Sequence, residues 1–126
     1  MTDENENQVD AKTKRIRELN DQLRSRCGVP IFGEGVPGGF LFTPGIASLL
    51  PEIQIAIWAE VRNFSAFTEE NDPYGEHDFG AFTIEGAGKV FWKIDYYDHD
   101  RVHGSEDPAD LSKTFRVLTI MLAEEY

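Results

Sequence analysis

The chain has 126 residues, with 23 Asp and Glu against 12 Lys and Arg, a formal net charge of −11. That length holds one core and buries roughly two thirds of its unfolded surface, so neither disulfides nor metal are required for folding. A hydrophobic content of 40% with 12% aromatics excludes disorder for most of the chain, no apolar run approaches the ~20 residues of a membrane span, and one cysteine, Cys27, excludes an internal disulfide or a cysteine-based zinc site.

Residues 1–10 hold four acids and no base and read as a disordered acidic tail, with nothing resembling a secretory leader; residues 11–126 read as a single domain. From Ala11 to about Arg26 the spacing of Ile16, Leu19 and Leu23 predicts a helix with a narrow apolar stripe, capped by Asp10 and stopped at Gly28. Its six bases against two acids should give it a cationic, solvent-facing side. Gly28–Gly39, with five glycines and two prolines, is irregular loop; no Lys-Ser/Thr follows it, so it is not a phosphate-binding loop.

Phe40–Thr43 reads as a short strand. Pro51 suits the first position of a second helix and Glu52 its dipole, with Ile53, Ile57 and Val61 on the buried face. Asp78–Glu85 and Lys89–Asp98 read as an antiparallel hairpin joined by Gly86-Ala87-Gly88. In its second strand Val90, Trp92, Ile94 and Tyr96 share the core face, while Phe91, Lys93, Asp95 and Tyr97 share a mixed face. Asp107-Pro108 then opens a last helix with the stripe Leu111, Phe115, Leu118 and Leu122. The expected architecture is α+β: a small antiparallel, hairpin-based sheet packed by about three helices, in the order α-β-α-β-β-α.

Between Glu69 and Asp110 there are twelve acids and three bases, Lys89, Lys93 and Arg101. Phosphates and anionic membranes are repelled by such a chain, so direct nucleic-acid and membrane binding are disfavoured, and a basic protein surface is the favoured partner. Glu69, Glu70, Asp72, Glu76, Asp98 and Asp100 are the candidate contact residues. A three-residue hairpin loop at Gly86–Gly88 sets Asp78 opposite about Tyr96 and Glu76 opposite about Asp98, converging carboxylates and His77 at the hairpin mouth. Glu76, His77, Asp78 and Asp98 are therefore candidate ligands for a divalent metal, the only cofactor the sequence suggests. Glu76, His77, Asp78 and Asp95 are candidate acid/base groups, since crowding raises a carboxyl pKa. Structural capping competes with both readings, as does a Lys93–Asp95 ion pair along one strand. Cys27 lacks any identifiable base and is a poor nucleophile.

The strings NDPYGEHDFG at Asn71–Gly80, FWKIDYYD at Phe91–Asp98 and the ending RVLTIMLAEEY resemble a bacterial domain-of-unknown-function family, number three-seven-six-eight. The likeness runs from about Lys14 to Tyr126, including IRELND and TPGIASLLPE, and does not extend to the glycine-rich loop. It implies a small cytoplasmic protein, often encoded on plasmids and other mobile elements, and supplies no activity or catalytic residue. The expected function is a non-enzymatic acidic interaction protein, a monomer or weak homo-oligomer, whose carboxylates imitate phosphates toward host defence or DNA-handling proteins. The alternative is a metal-dependent, phosphoester-type hydrolase using Glu76, His77, Asp78, Asp95 and Asp98.

Overall fold

The computed structural model describes residues 4–29 and 35–126, with side chains from Ala11 onward; part of the glycine-rich loop, including Gly33, lies outside the described residues. Seven regular elements follow one another: α1 (Glu4–Arg24), β1 (Gly38–Phe42), α2 (Pro44–Ala47), α3 (Pro51–Asn63), β2 (Phe79–Ile84), β3 (Gly88–Tyr97) and β4 (Phe115–Leu122). Single 3-10 turns flank β4 at Leu111–Lys113 and Ala123–Glu125. α1 runs through Asp10, which is therefore an interior residue and not the cap that local composition suggests.

The α+β class holds, and the hairpin is present. The sheet has four strands in the order β1-β4-β3-β2. β4 pairs antiparallel with β3 and parallel with β1, so the sheet is mixed. The hairpin loop is Glu85-Gly86-Ala87, with Gly88 already paired to Ile84. Gly86 (φ 93) and Gly88 (φ 80) adopt the left-handed conformation that lets the chain reverse there. The register is thereby one residue tighter on each strand than expected, placing Asp78 opposite Ile94, whose N–H donates to the Asp78 carbonyl at 2.8 Å.

The last expected helix is a correction: Phe115–Leu122 is the strand β4. Leu111, Phe115, Leu118 and Leu122 satisfy helical spacing, but the segment is rich in β-branched and aromatic residues, and its apolar run is nearly unbroken. Such a run fits a helix or a strand equally by period. The slot between β1 and β3 decides the matter, because β4 satisfies the backbone of both neighbours. Asp107-Pro108 precedes a turn, and Asp110 caps the Leu111–Lys113 turn by accepting from the Ser112 N–H at 2.9 Å.

Even-numbered side chains of the central strands (Val90, Trp92, Ile94, Leu118 and Ile120) meet Leu19 and Leu23 of α1 and Ile57 and Val61 of α3 in one core. Phe64 packs edge-on against Trp92 at 5.7 Å. Gly80 lies beside the Trp92 indole so closely that a Cβ there would collide with it. The odd-numbered residues of β3 and β4 make up the other face of the sheet, where Tyr126 packs against Phe79 and Phe91 and Met121 is buried. Among the described residues, no helix is long and apolar enough to cross a membrane.

Candidate functional site

The hairpin mouth is where the segment after α3 meets the end of β3. Glu76 stands opposite Tyr96 and not Asp98, and its carboxylate accepts the Tyr96 hydroxyl at 2.7 Å. Behind it a directed chain of donors runs into the core. Arg116 Nε donates to Asn20 Oδ1 at 2.7 Å, and Asn20 Nδ2 donates to the Tyr96 hydroxyl oxygen at 2.8 Å and to the Glu76 carbonyl at 3.0 Å. Arg116 also donates to the Pro108 carbonyl and lies 5.2 Å from the centre of the Tyr96 ring. Burial pushes the Tyr96 phenol far above its ordinary range, with Glu76 adding to the effect. Burial likewise lowers the Arg116 pKa, opposed by Tyr96 and Glu76. Glu76 is thus the outer end of a structural relay.

His77 turns the other way. Its backbone is left-handed (φ 57), and its N–H donates to Asp72 Oδ1 at 3.2 Å. Nδ1 lies 2.9 Å from Asp21 Oδ1 on α1, and the ring stacks on Phe67 at 3.7 Å. Asp21 in turn accepts from Arg24 at 2.9 Å. The orienting carboxylates of His77 are therefore Asp21 and Asp72, and not its neighbour Asp78. Asp72 is only 8% exposed, so it works inside the fold and offers little to a partner.

Asp98 points into its own loop, accepting from the Val102 N–H at 3.3 Å with His103 Nδ1 at 3.8 Å. Asp95 lies on the opposite sheet face and pairs with Lys93 at 3.1 Å, the ion pair that two-residue spacing along a strand permits. Of the four candidate metal ligands, Glu76, His77 and Asp98 are thus each directed to separate partners, away from Asp78. Among the described residues, no three His, Cys, Asp or Glu side chains are grouped so as to hold a metal ion.

What the structure does gather is negative charge around Asp78. Its pKa is raised, first by partial burial and then by Glu76, Asp72 and Asp95. Glu69, Glu70 and Asp100 are exposed. The cations are disposed differently. Arg17, Arg24, Arg26, Arg62 and Arg116 all donate to backbone carbonyls, of Gly75, Val61, Val36, Cys27 and Pro108 respectively. Arg24 and Arg116 are buried outright. α1 is consequently less of a solvated cationic face than its sequence suggests, because two of its bases, Arg17 and Arg24, and Arg26 just beyond it, bond to backbone carbonyls.

A family model described as "Protein of unknown function (DUF3768)" matches residues 42–125, two thirds of the chain. The chain belongs to that family. The match covers β1's last residue through the turn after β4, and so includes the hairpin mouth; α1 and the glycine-rich loop lie outside it, short of the Lys14 start that the sequence likeness suggests. No curated protein and no solved structure matches the chain.

Asn20, Asp21, Tyr96 and Arg116 carry the site's internal wiring, and sequence reasoning assigned none of them to it. One signal was available: in FRVLTIML read as a strand, Arg116 occupies the same face as Leu118 and Ile120. A guanidinium on an apolar face needs partners and marks a polar network.

Proposed function

We propose that this protein acts by binding, presenting the carboxylates around the hairpin mouth to a basic protein surface. One observation carries the reading: five of the seven arginines donate to backbone carbonyls, while Asp72 is the one buried acid among the described residues. The formal charge of −11 is therefore expressed at the surface, with Glu69, Glu70 and Asp100 exposed and Glu76 close enough to Asp78 to raise its pKa. Holding like charges together costs stability, and nothing in the packing of the core calls for it. A basic partner relieves that repulsion and is attracted over a distance of about 8 Å at physiological salt.

The partner surface that fits best is one built to hold phosphates, as in defence or DNA-handling proteins, with exposed carboxylates standing in for the backbone charges of a duplex. Glu69, Glu70, Asp78 and Asp100 are the contact residues on this reading, with Glu76 at the rim; Asp72 and Asp98 support the surface from within. We place the interaction in the cytoplasm, where the lone, buried Cys27 stays reduced. The hydrolase alternative loses its geometric support, because its ligand set is dispersed.

The test is capture from a lysate of the native host at low and high salt, with duplex DNA as competitor. Basic DNA-binding proteins should be retained at low salt and released by either salt or DNA. Retention of nothing basic at low salt contradicts the reading.

A further inference from the structure

Arg101, like Lys89, is a base of the acidic stretch with no ion-pair or hydrogen-bond partner for its charged group among the described residues. Lys93 pairs with Asp95, and Lys89 lies over Phe91 at 5.4 Å. The Arg101 guanidinium lies 3.9 Å from the centre of the Phe115 ring, on the odd-numbered face of β4. Its backbone is left-handed, φ 62, which a non-glycine residue holds only at a cost. Two contacts enforce that conformation: the Arg101 N–H donates to the Asp98 carbonyl at 3.0 Å, and the Asp98 carboxylate accepts from the Val102 N–H. The loop thus spends free energy to hold an unpaired guanidinium over an aromatic ring.

Beside it lies a mostly apolar cleft of about 300 Å³, lined by Gly39, Phe40, Leu41, Arg101, Phe115 and Val117. Gly39 leaves it open, since a Cβ there would meet nothing closer than the Phe115 ring at 3.8 Å. Leu41 is 58% exposed at its margin. The cleft runs along β1, a sheet edge. The Pro37 carbonyl and the Thr43 N–H bond to β4, and the alternation of a parallel pair then directs the N–H and C=O of Phe40 away from it.

We propose that this edge is a docking site for an extended peptide segment of a partner protein, carrying a carboxylate next in line to an apolar side chain. The segment adds as a strand to β1, its apolar side chain fills the cleft over Gly39, and its carboxylate takes the guanidinium fork of Arg101. Side chains two apart on such a strand share a face, which matches an apolar cleft with a cation at its end. A peptide suits the site better than a single-stranded nucleic acid. The Phe115 and Phe91 rings are already attended by cations, Tyr126 packs edge-on against Phe79 and Phe91, and the whole chain repels a polyanion. The site adjoins the acidic surface at Asp100, the chain neighbour of Arg101, but rests on different residues, so substitutions at Arg101 and Gly39 test it apart from that surface.

Selection of a random heptapeptide library against the full chain tests the proposal. Enriched peptides should share an Asp or Glu two residues from an apolar residue. Binding of a fluorescent peptide made from that consensus should weaken about tenfold or more in Arg101→Gly, which suits the left-handed backbone, and in Gly39→Val, which fills the cleft. Circular dichroism should show both variants folded. The proposal is overturned by absence of enrichment, by a consensus lacking a carboxylate, by equal binding to the variants, or by an oligothymidine that displaces the peptide with comparable affinity.

Discussion

Arg116 on β4 and Asn20 on α1 meet at 2.7 Å through side chains that are both completely buried. That bond joins a central strand to the first helix, and through Tyr96 it reaches Glu76 at the surface. Among the described residues Arg116 has no ion-pair partner, and its charge is stabilised by dipoles: the Asn20 amide, the Pro108 carbonyl and the Tyr96 ring. Removing the Asn20 amide strands a buried cation. Asn20→Ala should lower stability by about 2–4 kcal/mol, measured by urea unfolding, and Asn20→Asp should lose less, because a carboxylate meets the guanidinium directly.

Asp78 predicts an opposition between stability and binding. Its folded-state pKa lies above its ordinary value of 3.8 because of burial and then Glu76. The native state therefore holds that proton more tightly than the unfolded chain, and a charged Asp78 weakens the fold at neutral pH. The penalty disappears as pH falls through the raised value. Asp78→Asn should stabilise the protein slightly at pH 7, by under about 1 kcal/mol, with the gain vanishing in acid. The same substitution should weaken partner binding.

Glu125 shows the reverse sign. Its carboxylate accepts from the Thr43 hydroxyl at 2.6 Å, the Gly45 N–H at 2.9 Å and the Leu122 N–H at 3.0 Å, bracing α2 against the end of β4. These bonds, led by Thr43, lower its pKa from 4.5. Its stabilising effect is complete above 4.5 and is lost as pH falls through the lowered value. Glu125→Gln should therefore reduce Tm modestly at neutral pH, and the two proteins should converge in strong acid.

Burial pushes the Cys27 thiol up to about 11, with Arg62 only partly opposing it. At pH 7 the group is a thiol without solvent access and so should not react with a disulfide reagent on the timescale of minutes in the native state. Urea should unmask one equivalent. Rapid native labelling would show that the Cys27 region opens readily.

Much of this architecture is legible in the chain itself. Ile16, Leu19 and Leu23, like Ile57 and Val61, have spacings that only a helix turns to one side, and all five are buried. The even residues of β3 alternate cleanly into the core. Two things depend on partners distant in sequence. β4 is decided by the slot between β1 and β3, and a near-continuous apolar run contains no period that reveals it. The hairpin register depends on Gly88 joining the ladder, a shift of one residue per strand that moves Glu76 from Asp98 to Tyr96. The cluster of acids at the hairpin mouth was therefore readable as a region, and its members' directions were not. Composition shows Arg24 and Arg116 as two positive charges; only packing shows them buried and turned to carbonyls and an amide.

The central claim is that surface carboxylates, and not a bound metal or a pocket, make the functional contact. Its most direct measurement is the salt dependence of affinity for a captured basic partner, comparing the natural chain with a variant carrying Glu69→Gln, Glu70→Gln, Asp78→Asn and Asp100→Asn. The natural chain should lose affinity steeply with rising salt, and the variant, folded by circular dichroism, should bind weakly with a much flatter slope. Equal affinity and equal slope for the two proteins would contradict the account.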